Sequence, residues 1–315
     1  MSRKISRRSF TLSASLALSA IAFPSTRVAA GGEPFQRAGK PRLRLSLAAY
    51  SFREFFKDAS HNRPKAPPAD KQIDLFQFID YCADHNCHGA ELTSYYFPKE
   101  ISPEFLLKIK RHAFLRGIEL SGTSVGNTFT VPAGARREQE IAHTKKWIDH
   151  AALMGIPHIR VFAGNLEGQS PEVAKKNCIG ALEECCEYAG SRGVFLGIEN
   201  HGGIVAEPAA LLDIIKSVQS PWIGINLDTA NFHTDDPYRD LALCAPYAVN
   251  VQLKTEVQAK GKKKEAADIK RIVQILRDTN YQGYLVLEYE AAEDPFKAVP
   301  RVLKELSEIV ESAAG

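Results

Sequence analysis

Six cysteines in 315 residues, none of them in Cys-x-x-Cys spacing, provide neither a zinc-ribbon pattern nor a disulfide framework. Cys82, Cys87, Cys178, Cys185, Cys186 and Cys244 fall mostly inside helical patterns and read as buried free thiols. Only Cys82 with Cys87 is a pair to check for a disulfide. The formal charge is a mere +3, and the 40 Lys and Arg residues are spread along the chain, so nothing favours nucleic-acid binding. No Gly-x-Gly-x-x-Gly follows the first apolar run, and the usual sign of a dinucleotide fold is therefore missing. The moderately apolar stretch from Thr11 to Phe23 falls short of the roughly 20 residues that a membrane-spanning helix needs. With 44% hydrophobic and 24% charged residues and no long polar tract, disordered and fibrous classes are excluded. What remains is a globular chain able to bury a full core.

The first thirty residues are read as serving export. Ser6-Arg7-Arg8-Ser9-Phe10 precedes the apolar stretch, and Val28-Ala29-Ala30 places small residues before Gly31. This resembles a twin-arginine signal peptide, with Thr11-Leu12 where Leu-Lys is common. The resemblance implies a periplasmic mature protein with no stable membrane anchor after cleavage, and a route that carries folded proteins, often around a cofactor. Residues 31–42 then read as a linker and 43–315 as one domain.

That domain alternates short apolar runs with longer amphipathic ones. Strands are expected at 44–50, 88–92, 118–122, 157–162, 194–199, 222–228, 248–254 and 283–288. Helical patterns lie between and after them, at 71–85, 103–116, 135–154, 171–191, 208–218, 237–245, 265–279 and 295–312. Several helices open on a polar residue and proline: Ser102-Pro103, Ser170-Pro171, Glu207-Pro208, Asp236-Pro237 and Asp294-Pro295. Proline suits the first helical position because its missing N–H would be unpaired there. Gly117, Gly155 and Gly193 close others. Eight such units fit an α/β fold of the (β/α)8 barrel type better than an open sheet.

Catalytic groups in such barrels stand at the C-terminal ends of strands, on the inward side of the alternation. Strand 222–228 puts Ile223, Ile225 and Leu227 toward the helices and Gly224, Asn226 and Asp228 inside. Strand 283–288 turns Val286 and Glu288 inward. Strand 248–254 sets Val249, Val251 and Leu253 against an inner face of Asn250, Gln252 and Lys254. Together with Glu199, which ends the fifth strand, the carboxylates Asp228 and Glu288 would repel one another strongly in a partly buried mouth. A divalent cation removes that repulsion. With Gln252 supplying a carbonyl oxygen, the donor set is all oxygen and favours Mn²⁺ or Mg²⁺ over Zn²⁺ or Co²⁺.

The segments GIENHG, NLDTAN, NVQLKTE and LVLEYE carry a resemblance to a known family. The domain resembles the xylose isomerase-like barrels labelled sugar phosphate isomerases or epimerases, which include ketose 3-epimerases and inosose dehydratases. The resemblance places metal ligands at Glu199, Asp228, Gln252 and Glu288. Gln252 stands where the family usually has His, and in the Asp-x-x-His often found after strand six Asn231 takes the fourth position, with His233 two later. Single residues at the mouth, namely His201, His233, Lys254, Glu91 and Arg160, are candidates to bind substrate. The run Lys260-Gly261-Lys262-Lys263-Lys264 reads as a solvated loop.

The resemblance implies an enzyme that labilises a C–H bond beside a carbonyl through an enediolate, with Glu199 and Glu288 as acid and base. Export points to a non-phosphorylated sugar, a cyclitol or a keto-sugar. A lyase or hydratase acting on a 3-keto sugar or glycoside fits the same residues. A non-catalytic carbohydrate-binding subunit, which Gln252 favours, is the reading from another class. The partner in every case is a small carbohydrate, and a homo-oligomer is compatible with each.

Overall fold

Side chains at the helix starts explain much of the architecture. In the computed structural model, which describes residues 32–58 and 69–312, Ser102, Ser170 and Asp236 accept from the backbone N–H groups of Phe105, Val173 and Arg239 at 3.2, 3.4 and 3.1 Å. Each is followed by proline at the first helical turn, so an otherwise unpaired donor is absent and another is satisfied. Glu207 makes no such bond. Gly155 and Gly193 end their helices in the left-handed region, at φ 81° and 71°. The expected export signal at 1–30 lies outside the described residues.

The strands are β1 (Arg42–Ala48), β2 (Gly89–Thr93), β3 (Glu119–Ser124), β4 (His158–Val161), β5 (Phe195–Glu199), β6 (Ile223–Asp228), β7 (Ala248–Leu253), β8 (Glu256–Val257), β9 (Glu265–Ala266) and β10 (Gln282–Leu287). The helices are α1 (Leu75–Asp84), α2 (Pro103–Leu115), α3 (Ala135–Met154), α4 (Pro171–Arg192), α5 (Pro208–Ser217), α6 (Pro237–Cys244), α7 (Ile269–Asp278) and α8 (Pro295–Ser312). Strands β1 to β7 and β10 close into a barrel in the order β1-β10-β7-β6-β5-β4-β3-β2, parallel throughout. The expected (β/α)8 barrel is therefore the observed fold. Strands β8 and β9 form a separate antiparallel pair. The Lys260–Lys264 stretch is the turn of that hairpin, not a plain loop, and α7 starts at Ile269, four residues later than expected.

Two irregularities decide what points into the barrel. Pairing of β6 with β7 passes from Ile225↔Ala248 to Asn226↔Asn250 and skips Val249. The extra residue defeats simple alternation: Val249 does not face the helices but fills the barrel floor, where a Cβ on Gly224 would meet its Cγ1 at 2.4 Å and one on Gly197 its Cγ2 at 3.1 Å. Such a bulge re-aims the side chains beyond it, and Asn250 and Gln252 follow on the inner face. Likewise β2 pairs with β3 through Ala90↔Leu120 and then Glu91↔Gly122, skipping Ser121.

The second bulge seats His158. Its ring lies against Gly122, where an added Cβ would stand 2.2 Å from Cε1, and Nδ1 is 3.0 Å from the Ser121 carbonyl. A carbonyl only accepts, so Nδ1 carries a proton. Burial pulls its pKa down to about 4. Between that value and the ordinary 6.5 the unfolded chain binds the proton and the folded chain does not. His158 thus contributes a stability that is full above pH 6.5 and falls, by on the order of 3 kcal/mol, as pH drops toward 4. The difference between wild-type and His158→Asn unfolding free energies, measured from pH 4 to 7, should show that slope; a pH-independent difference would contradict it.

Below the barrel, residues assigned to a linker are docked. Phe35 N–H donates to Pro246 O at 3.0 Å, Arg37 to Ala248 O at 2.5 Å, and Asn280 to Arg37 O at 2.7 Å. All six cysteines are buried and free, Cys82 and Cys87 included. Among the described residues no helix is long and apolar enough to cross a membrane.

Candidate active site

The inward residues at the C-terminal ends of β4, β5, β6, β7 and β10 meet in one polar mouth, with Glu91 of β2 buried beneath it. Asn200, just past β5, fixes its frame. This fully buried amide accepts from Asp228 N–H at 2.8 Å and donates to Asp228 O at 2.9 Å, clamping two strand ends together. Thr229 then receives Lys254 N–H on its hydroxyl at 2.9 Å while its own N–H donates to Gln252 O at 2.9 Å. The polar residues after the apolar run in GIENHG are therefore the carboxylate of the site and the clamp for its neighbour.

Glu199 is 5% exposed and both its oxygens are engaged. Arg160 Nε lies 2.8 Å from Oε2 as an ion pair, and Asn231 donates to Oε1 at 3.0 Å. Arg160 is further held by a bond to Val125 O at 2.9 Å and lies over the Phe162 ring at 3.9 Å. On the other side of the mouth Lys254 Nζ stands 2.7 Å from Glu288 Oε2 and 3.5 Å from Asp228 Oδ2, and also contacts Glu290. Glu290, missed in the sequence, continues the alternation of LEYE two residues beyond Glu288. Glu91 is buried beneath the mouth, not lining it. Its carboxyl takes bonds from Gln252 Nε2 at 2.6 Å and Asn250 Nδ2 at 3.2 Å.

Burial dominates the electrostatics. It pushes Glu91, Glu199 and Asp228 each up to about 7, with Glu288 nearby adding to the push on all three, against Arg160 on Glu91 and Glu199 and Lys254 on Asp228. Burial alone would lower Lys254, but Asp228, Glu288 and Glu290 hold it above the ordinary lysine value. Arg160 is likewise raised by Glu199 against burial. The cluster thus shares protons near neutrality while its two cations stay charged.

Two cavities open on this mouth. One, of about 280 Å³, is lined by Asn231, His233, Lys254, Lys264 and Glu290 among others. The other, of about 200 Å³, is lined by Asn127, Phe162, Asn165, Glu199 and His201. His201 rests on the Phe162 ring at 4.7 Å between centroids. His233 is exposed, and its Nδ1 is 3.1 Å from Gln258 O, which ties it to the residue that follows β8. Of the candidate substrate contacts, His201, His233 and Lys254 line these cavities, whereas Arg160 and Glu91 support the groups that do.

The donor set expected to hold Mn²⁺ or Mg²⁺ is arranged differently from a metal site. Two acceptors, Gln252 Oε1 and Asp228 Oδ2, are buried without a hydrogen-bond partner, as metal ligands would be. The other features disagree. Glu199 is engaged by Arg160 and Asn231, Gln252 is turned to Glu91, and the Lys254 ammonium stands among the remaining carboxylates. Among the described residues no three His, Cys, Asp or Glu side chains are grouped as a metal site requires. A divalent ion within about 4 Å of that ammonium would meet a repulsion of roughly 8 kcal/mol at an effective dielectric constant of about 20. As they stand, the residues fit a built-in ammonium better than a divalent ion.

Comparison with known proteins agrees with the barrel. Residues 79–306 match the family model described as xylose isomerase-like TIM barrel. No curated protein matches the chain. Among solved structures, an L-ribulose 3-epimerase is similar with a TM-score of 0.70 at 15% identity, over 86% of this chain and 96% of that one. A 3-keto-D-glucoside 4-epimerase from E. coli gives 0.64 at 16% identity, over 85% and 100%. A probable 3-DHS dehydratase from Bacillus anthracis gives 0.59 at 15%, over 85% and 98%. At such identities the structures share the fold, and the match to the family model, which spans most of the barrel, shows that the chain belongs to the xylose isomerase-like TIM barrel family.

Proposed function

We propose that the protein is an enzyme of the sugar isomerase or epimerase type, which moves a proton on a carbon next to a carbonyl. The observation that carries this reading is the placement of Glu199 on β5 and Glu288 just past β10, three strands apart around a mouth that also holds two cations. One carboxylate takes the proton from the carbon. The C–H electron pair moves into the C–C bond while the carbonyl pair moves onto oxygen, giving an enediolate whose charge the neighbouring cations offset. Return of a proton by the second carboxyl group to the opposite face of that carbon gives the epimer; return to the neighbouring carbon, with the hydroxyl proton passing to the former carbonyl oxygen, gives the isomer.

The mouth supports a neutral substrate. Glu199 and Glu290 line its cavities with Asp228 and Glu288 buried beside them, and the Lys254 ammonium is already shared among three of these four, so a phosphate dianion would be repelled more than held. The export reading of residues 1–30 points the same way, to a free sugar, cyclitol or keto-sugar. A lyase shares the first proton transfer and would differ only in expelling a β-substituent.

A panel of free ketoses, keto-cyclitols and 3-keto glycosides, incubated with the protein and followed by NMR, tests the proposal. A new stereoisomer or positional isomer is the expected product. An unsaturated sugar would assign a lyase, and binding without any product would assign a carbohydrate-binding subunit.

A further inference from the structure

Lys254 occupies a singular place in this barrel. Its backbone is fixed by the bond to Thr229, its side chain is 11% exposed, and its ammonium reaches Asp228, Glu288 and Glu290 together. Two of those three are carboxylates from the set read in the sequence as a metal site. Gln252, the residue that departs from that pattern, stands two positions earlier on the same inner face. It directs its amide nitrogen to Glu91, and its oxygen takes no bond. The change at 252 and the cation at 254 therefore belong to one arrangement, in which a soft ligand is absent and a positive charge is supplied by the chain itself.

We propose that the Lys254 ammonium takes the place of the divalent ion at this mouth, and that it is the group which meets the substrate's carbonyl oxygen. Lys254 lines the larger cavity, so an incoming oxygen reaches it from the solvent side while Glu288 and Glu290 accept its hydrogen bonds. A three-donor ammonium is suited to this, because two protons stay on the carboxylates while one turns to the substrate. The role of Lys254 in catalysis rests on the proton-transfer reading above; its exclusion of a metal does not.

Titration of the purified full-length protein with Mn²⁺, followed by the electron paramagnetic resonance signal of the free ion, tests the exclusion without any sugar. Wild-type protein should leave the signal undiminished at equimolar Mn²⁺ near 100 μM. Lys254→Met, which keeps the stem and removes the charge, should bind Mn²⁺ at least about 100-fold more tightly than wild type, because the repulsion is gone and the carboxylates are freed. Stoichiometric Mn²⁺ binding by the wild type would overturn the proposal. So would a folded Lys254→Met variant, checked by circular dichroism, that gains no affinity. If that variant does not fold, the wild-type titration still decides. Since neither readout involves turnover, metal exclusion and proton transfer succeed or fail separately.

Discussion

Glu199→Gln should lower turnover by about 10²–10⁴-fold, the usual contribution of a positioned proton-transfer group, with little change in substrate affinity. The amide keeps an oxygen for Asn231 and occupies the same volume, but it cannot take or return a proton. Glu288→Gln should behave alike, since the account needs one group on each side of the substrate. Activity within threefold of wild type in both variants, on a substrate identified by the panel, would remove the two glutamates from the chemistry. A loss confined to KM would make them binding groups instead.

Replacing Arg160 with Met should cost more stability at pH 8 than at pH 5, by on the order of 1 kcal/mol, because above about 7 the wild-type pair is charged while the variant must take up a proton at Glu199 or leave its carboxylate unpaired. Both side chains are under a tenth exposed, so solvent offers little relief. The loss should shrink at pH 5. Glu199 already holds its proton up to about 7, and without the guanidinium it would hold it higher still, so at pH 5 the group is neutral and needs no partner. Urea unfolding at the two pH values makes the comparison. Equal losses would show that what is missed is the packing of Arg160 on Phe162 and its bond to Val125, not its charge.

The barrel was legible because both of its periodicities are strong. Apolar runs of strand length alternate with amphipathic segments bounded by Ser-Pro, Asp-Pro and Gly, and the observed strand and helix ends lie mostly within two residues of those expected. The placing of Glu199, Asp228 and Glu288 at strand ends followed from the same alternation. What alternation cannot register is an extra residue in one strand. The skip at Val249 shows no signature in the string AVNVQLK, and only the bare Gly197 and Gly224 opposite it hint that the floor has room for a side chain. The short β8–β9 pair was hidden because a lysine-rich turn between two-residue strands carries no periodicity.

Partner choice was the second thing the sequence could not settle. Three carboxylates at the ends of β5, β6 and β10 demand positive charge, but whether a lysine, an arginine or a metal supplies it depends on side-chain reach. Lys254 was visible as an inward residue, and Arg160 as a strand-end cation. Their distribution, with Arg160 on Glu199 and Lys254 among Asp228, Glu288 and Glu290, emerges only in three dimensions. Asn231 illustrates the same limit. In the sequence it marks a missing His; in the structure it donates to Glu199 and keeps that carboxylate pointed at the mouth.

Proton transfer by carboxylates around a built-in cation is tested most directly by solvent-deuterium uptake. The protein, dialysed against EDTA and placed in D₂O with its substrate, should insert one deuteron per turnover at the carbon beside the carbonyl, read by mass spectrometry and by loss of the corresponding proton NMR signal. The rate should not change when Mn²⁺ is added back. Product formed without deuterium in that position, or uptake that vanishes with EDTA and returns with Mn²⁺, would contradict the account.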